Sequence, residues 1–257
     1  MPLISTTNVN KYTLSNGLTV LLETNSAAPV ISFNVGVKVG SVWEADDEAG
    51  LSHLLEHMVF KGTKSYGAGE IAVRVEASGG ELNAYTSFDQ TVYFINLGAR
   101  HWKTGLNLIK EMVCDALIDP EELAREKEVV IEEINRGKDN PSNQLSEMLF
   151  GTAFKKHPYG RPIIGFEKLV RGFPREKVFG FYKRWYVPNN MVLGICGDFN
   201  EGEMKQAIEE SFSGYTNHPL TRPTLASEPL PSTQRLVQKG NPVTGHYIAI
   251  GYPVPEF

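Results

Sequence analysis

The stretch SHLLEHMVFKGT, Ser52–Thr63, carries two of the six histidines of the 257-residue chain within five positions, with a glutamate just before the second. On a helix, residues four apart lie one turn apart on the same face, so His53 and His57 can reach one metal ion. Glu56 borders that face, close enough to take a proton from a water at the metal without being a ligand. Leu51, Leu54, Leu55, Met58 and Val59 supply the apolar stripe that would seat such a helix on a core. The bland alternative is an amphipathic surface helix that happens to hold two imidazoles.

A zinc site that hydrolyses a substrate needs three protein ligands and one open position. The order H-x-x-E-H is the inverse of the HExxH arrangement of zinc proteases. Cys114 and Cys196, the only cysteines, sit in neither a CxxC nor a CxH spacing, so a cysteine ligand is not expected. The acidic run PEELAREKEVVIEEINRGKD (120–139) is the better source of the third ligand, offering Glu121, Glu122, Glu126, Glu128, Glu132 and Glu133. Glu126 and Glu133 are seven apart and share a helix face with Val130. Spacing does not choose among these glutamates, and a solvated acidic helix is the competing reading.

Further out, KYTLSNGLTVLLE reads as two short strands around Ser15-Asn16-Gly17, and Val30–Val39 as another strand. The acids Asp46, Asp47 and Glu48 suit the start of the helix carrying His53. A helix is expected over about Ala68–Ser78, stopped by Gly79-Gly80, and strand over GELNAYTSFDQTVYFINL. Helical pattern returns at His101–Leu117, from Pro120 until Asn140-Pro141-Ser142 breaks or bends it, and at Pro174–Tyr186, with MVLGICGDF a buried strand. From Pro219 to Pro231 a proline-rich segment reads as a linker, followed by the strand-like runs RLVQK and HYIAIGYPV. Interleaved strands and helices without a GxGxxG or P-loop pattern leave α+β and α/β open and offer no nucleotide signature.

Hydrophobic content of 41% and a formal net charge of −5 suit a folded chain with a real core. No basic block suggests nucleic acid, and no apolar run reaches the ~18 residues of a membrane span. The N-terminal residues show no basic region followed by an apolar one, so a cytoplasmic protein is expected as the chain stands. An exported protein shorn of its signal peptide would read the same.

His53-Leu54-Leu55-Glu56-His57-Met58-Val59-Phe60-Lys61-Gly62-Thr63 resembles the signature of the pitrilysin-type (M16) zinc metallopeptidases, which include mitochondrial processing peptidase and insulin-degrading enzyme. NGLTVLL, GGELNAYTSFDQTVYF, REKEVVIEEI, HPYGRPIIG and YVPNNMVLGICGDF resemble further family segments in the same order. The resemblance implies an α+β fold, a mixed, mainly antiparallel β-sheet packed against α-helices. It implies one Zn2+ held by His53, His57 and Glu133, with Glu56 as general base and Glu126 as an acidic neighbour. A one-residue shift would exchange Glu133 with Glu132.

Asn83 and Ala84 match the strand that accepts an extended peptide substrate in that family. The His157-Pro158-Tyr159-Gly160 match is read as shaping a loop. Family members are built of two homologous halves that close on each other. This chain resembles the first half (1–218), followed by a linker and the first strand of a second half (219–257). A second half or sister subunit is thus the expected partner. The resemblance implies a zinc endopeptidase, or its zinc-bearing half; a non-catalytic scaffold or substrate-binding subunit is the alternative.

Overall fold

The computed structural model describes residues 9–240 and 245–254. Asn16 and Gly17 turn the chain between β1 (Asn10–Thr13) and β2 (Thr19–Thr24), which pair antiparallel. Gly17 has φ +89°, and a Cβ there would lie 2.7 Å from Cβ of Asn189, so both the turn and its packing demand glycine. The buried Asn16 side chain donates to the carbonyls of Phe212 (2.7 Å) and Tyr215 (3.0 Å), tying the hairpin to the last helix.

Four more strands complete one sheet: β3 (Val30–Val37), β4 (Glu81–Thr86), β5 (Thr91–Gly98) and β6 (Met191–Gly197). Their order is β1-β2-β6-β3-β5-β4, with β2 and β6 parallel and every other pair antiparallel. The expected mixed, mainly antiparallel α+β fold is what forms. The run from Gly80 to Leu97 is two strands, not one, because Ser87–Gln90 closes a turn with Ser87 N–H donating to Gln90 O (2.8 Å).

Burial alternates strictly along β3, β5 and β6: Phe33, Val35, Tyr93, Ile95, Leu193 and Ile195 point into the core. Their neighbours Asn34, Gly36, Phe94 and Gly194 are only half-buried, on the other face. Period-two alternation of this kind is what a sheet covered on one face requires.

Eight helices are present among the described residues: α1 (Leu51–Val59), α2 (Glu70–Ala77), α3 (Trp102–Asp115), α4 (Pro120–Asp139), α5 (Pro141–Ala153), α6 (Glu167–Gly172), α7 (Arg175–Trp185) and α8 (Glu201–Phe212). Asn140 ends α4 and caps α5, its Oδ1 accepting from the N–H groups of Ser142 (2.9 Å) and Asn143 (3.2 Å), so the proline breaks the helix there. None of these helices is long and apolar enough to cross a membrane.

Asp46–Glu48 do not open α1. They form a separate 3₁₀ turn, and α1 starts after Gly50. The expected strands at Arg235–Lys239 and His246–Val254 are absent: the described residues there form no regular secondary structure and have no sheet partner. Leu236, Ile248, Ile250, Tyr252 and Val254 are all more than 70% exposed, so the apolar pattern that suggested strands finds no sheet to join among the described residues. The linker is nevertheless fastened. Glu228 Oε2 accepts from the successive N–H groups of Lys155, Lys156 and His157 (2.8, 2.6 and 3.1 Å), and Arg235 donates to the carbonyls ending α5.

Candidate metal centre

A nine-residue helix is too short to hold itself in water, so tertiary burial must place α1. Leu51, Leu54, Leu55, Met58 and Val59 are completely buried, at roughly 1.5–3 kcal/mol each for such side chains. This fixes which way the opposite face looks: His53, Glu56 and His57 turn toward α4 and toward β4 at the sheet edge.

The start of α1 has no side-chain cap of its own, because Gly50 occupies that position with φ +102°. Glu44, eight residues before Ser52, does the work: its Oε2 accepts from Gly50 N–H (2.9 Å) and its Oε1 from Ser52 N–H (2.7 Å). An acid at the positive end of the helix is favoured by the dipole as well. Arg161, in the loop after His157, donates to the carbonyls of Ser41 (3.1 Å) and Glu44 (2.7 Å) and pins this segment. Gly165 abuts the same helix start, where a Cβ would meet the Ala49 carbonyl at 2.4 Å.

Opposite α1, helix α4 is capped by Asp119, whose Oδ1 accepts from Glu121 and Glu122 N–H. Its inward face carries Glu126, Val130 and Ile134, all buried, and the half-exposed Glu133 next to them. Glu133 Oε2 lies 3.7 Å from His53 Nε2 and 3.6 Å from His57 Nε2. One ligand atom from each of these three residues falls within 4.8 Å of the others. Zinc bonds of about 2.0–2.2 Å put tetrahedral ligand atoms roughly 3.3–3.5 Å apart, so each Glu133–histidine pair fits the ion after a shift of a few tenths of an ångström, and the two imidazoles, within 4.8 Å of each other, close on it by a small turn of the rings. Glu132 is exposed and takes no part in the cluster. Glu121, Glu122 and Glu128 are spent on Arg125 and Arg171.

The two imidazoles have opposite electrostatics. Burial, then the neighbouring His57, pulls the His53 pKa down to about 4, so His53 is neutral and offers a lone pair. Its Nδ1 is buried without a hydrogen-bond partner among the described residues. Burial also pulls on His57, but the hydrogen bond to Glu126 and the nearby Glu133 carboxylate outweigh it and push its pKa up to about 9. His57 Nδ1–H donates to Glu126 Oε2 (3.1 Å), which turns Nε2 toward the metal position. Glu126 Oε1 receives Lys61 Nζ at 2.6 Å. Burial opposes ionisation of Glu126, yet these two partners hold its pKa below the usual value. The neighbouring His57 ring does the same for Glu133, against burial.

Glu56 is not among the ligand atoms. Burial raises its pKa, opposed by the Thr86 hydroxyl, which donates to its Oε2. Thr86 ends β4, the edge strand on which Asn83 is exposed and Ala84 half-buried; Ala84 N–H donates to Asn83 Oδ1 (2.9 Å).

Glu44, Lys61 and Thr86 were not singled out from the sequence. Only Glu44 left a trace there, as an acid upstream of a helix whose first position offers no cap.

Residues 19–167, more than half of the chain, match the family described as insulinase (peptidase family M16). The chain belongs to peptidase family M16. Residues 172–257 match the M16 inactive domain, although α7, β6 and α8 pack into the same sheet and core as the first match. A zinc protease of Rickettsia bellii, itself uncharacterized, is 35% identical over 209 residues, covering 81% of this chain and 51% of that one. The crystal structure of a protease from Helicobacter pylori superposes with a TM-score of 0.82 at 32% identity, over 86% of this chain and 54% of that chain. The first half of the periplasmic protease PqqL from Escherichia coli superposes at 0.76 with 26% identity, over 84% of this chain and 48% of that one. The chain spans about half the length of the curated relatives it matches.

Proposed function

We propose that this chain is the zinc-bearing half of an M16 endopeptidase, hydrolysing peptide bonds in extended peptides. The observation that carries the reading is the convergence of His53, His57 and Glu133 on one point, with the carboxylate of Glu56 beside it but outside the ligand set. Zinc bound there would supply Lewis acidity, polarising the scissile carbonyl and acidifying a water. Glu56 would serve as the general base, its carboxylate taking a proton from the attacking water and returning it to the departing amine. The Thr86 hydroxyl occupies Oε2 of Glu56, which leaves Oε1 for the proton. Substrate adds to the sheet along β4 beside α1, where an edge strand presents unpaired backbone groups and Asn83 and Ala84 line the contact.

The other wall of the cleft comes from a second M16 half or a sister subunit. The exposed apolar residues Ile248, Ile250, Tyr252 and Val254 support this, since such a row is covered when it joins a further sheet. The same half-length supports a second reading, a zinc-binding subunit that presents substrate without cleaving it. Glu56→Gln separates the two. Cleavage of an unfolded peptide by the chain, alone or mixed with a separately expressed second half, is lost in that variant while about one zinc per chain is retained. Undiminished cleavage by Glu56→Gln would sink the mechanism; absence of cleavage in every mixture, with zinc bound, would favour the presenting subunit.

A further inference from the structure

We infer that Lys61 is a positioning residue for the metal centre, holding Glu126 so that Glu126 can hold His57. This rests on the zinc site proposed above. Lys61 follows His57 by four residues and continues α1 past its last regular turn, its N–H donating to Met58 O (3.0 Å). That spacing returns its side chain to the face of His57. Glu126 enters between them from α4, and both of its oxygens are taken by this one turn: Oε2 by His57 Nδ1 at 3.1 Å, Oε1 by Lys61 Nζ at 2.6 Å. The Glu126 side chain is only 7% exposed, so water does not replace a lost partner.

Two effects of Lys61 on a bound cation oppose each other. Its positive charge repels the ion, so on charge alone its removal would tighten binding. But the ammonium is paired with Glu126, whose negative charge offsets its own. Without Lys61, a buried carboxylate keeps a single anchor and an uncompensated charge, and its cheapest response is to rotate away. That rotation frees His57 to turn. Partners that orient a ligating histidine are worth about 10–100-fold in metal affinity, and Lys61, one contact further out, acts at the low end of that range.

The experiment is zinc affinity of the purified chain, by competition with a chromophoric chelator, for Lys61→Met, Lys61→Gln and Lys61→Arg, each with and without Glu126→Gln. Thermal unfolding of the metal-free proteins shows which variants fold. The expected result is about a tenfold loss in the folded neutral variants, recovery in Lys61→Arg, and no further loss when Glu126→Gln is already present. Unchanged or tighter binding in the neutral variants overturns the inference, because charge repulsion would then be the only role of Lys61. A loss of equal size in the Glu126→Gln background overturns it too, since Lys61 would act by another route. Wild-type chain that binds no zinc, or binds it independently of His57 and Glu133, overturns the zinc site itself and this inference with it.

Discussion

Glu126 Oε2 accepts a hydrogen bond from His57 Nδ1 at 3.1 Å, and that contact governs how the site answers to pH. In the metal-free chain it helps raise the His57 pKa to about 9. Zinc requires the neutral ring, so binding must expel a proton below that pH. Apparent zinc affinity should therefore rise about tenfold per pH unit as pH approaches 9 and flatten above it. The stability that protonated His57 gives the metal-free fold is fully present below its unfolded pKa of about 6.5, and is lost as pH rises through about 9. Zinc titrations from pH 6.5 to 9.5, with released protons counted by an indicator dye, check both. A flat affinity profile would show that His57 is neutral before the metal arrives.

Glu133 and Glu132 are neighbours in sequence but not in role. Glu133 Oε2 stands 3.6 and 3.7 Å from the two imidazole nitrogens, while Glu132 is exposed and outside the cluster. Glu133→Ala should reduce zinc content to near zero, and Glu132→Ala should leave about one zinc per chain. Mass spectrometry of the two purified variants decides it, and zinc loss in Glu132→Ala would assign the third ligand to Glu132.

Glu44 gives a stability prediction. Its carboxylate alone satisfies the N–H groups of Gly50 and Ser52 at the buried start of α1. Glu44→Ala leaves both donors without partners, at ~1–3 kcal/mol each, and loosens the turn that presents His53. Chemical denaturation should show a loss of about 2–5 kcal/mol. A loss below about 0.5 kcal/mol, the scale of an ordinary surface substitution, would show that water or another group takes over the cap.

The sheet and α1 were legible because their residues alternate or recur with the period their burial demands. Val30–Val37 and Met191–Gly197 show period two, and Leu51–Val59 the helical stripe. The helix that carries Glu133 was legible from Pro120 and its strong helix formers, but which glutamate faces the histidines depends on how α4 lies across α1, and no local pattern encodes that. Glu44 and Thr86 escaped for the same reason: each meets α1 through tertiary contact, from eight residues before Ser52 and thirty after Glu56. The runs after Pro231 misled because an alternating apolar pattern records what a segment can pair with, and its partner is not among the described residues of this chain.

Thr86 should set the acid limb of activity. Burial raises the Glu56 pKa, and the hydrogen bond from Thr86 favours the ionised form and lowers it. A general base works only when ionised, so anything that raises its pKa moves the acid limb of kcat/KM upward. Thr86→Val keeps the shape of the side chain and removes the donor. The expected outcome is an acid limb displaced upward, with activity approaching wild type on the alkaline side. Thr86→Ser, which restores a hydroxyl, should bring the limb back. Zinc content should not change in either variant, because Thr86 touches none of the three ligands. A uniform loss at every pH would instead place the contribution of Thr86 in the geometry of the β4 edge.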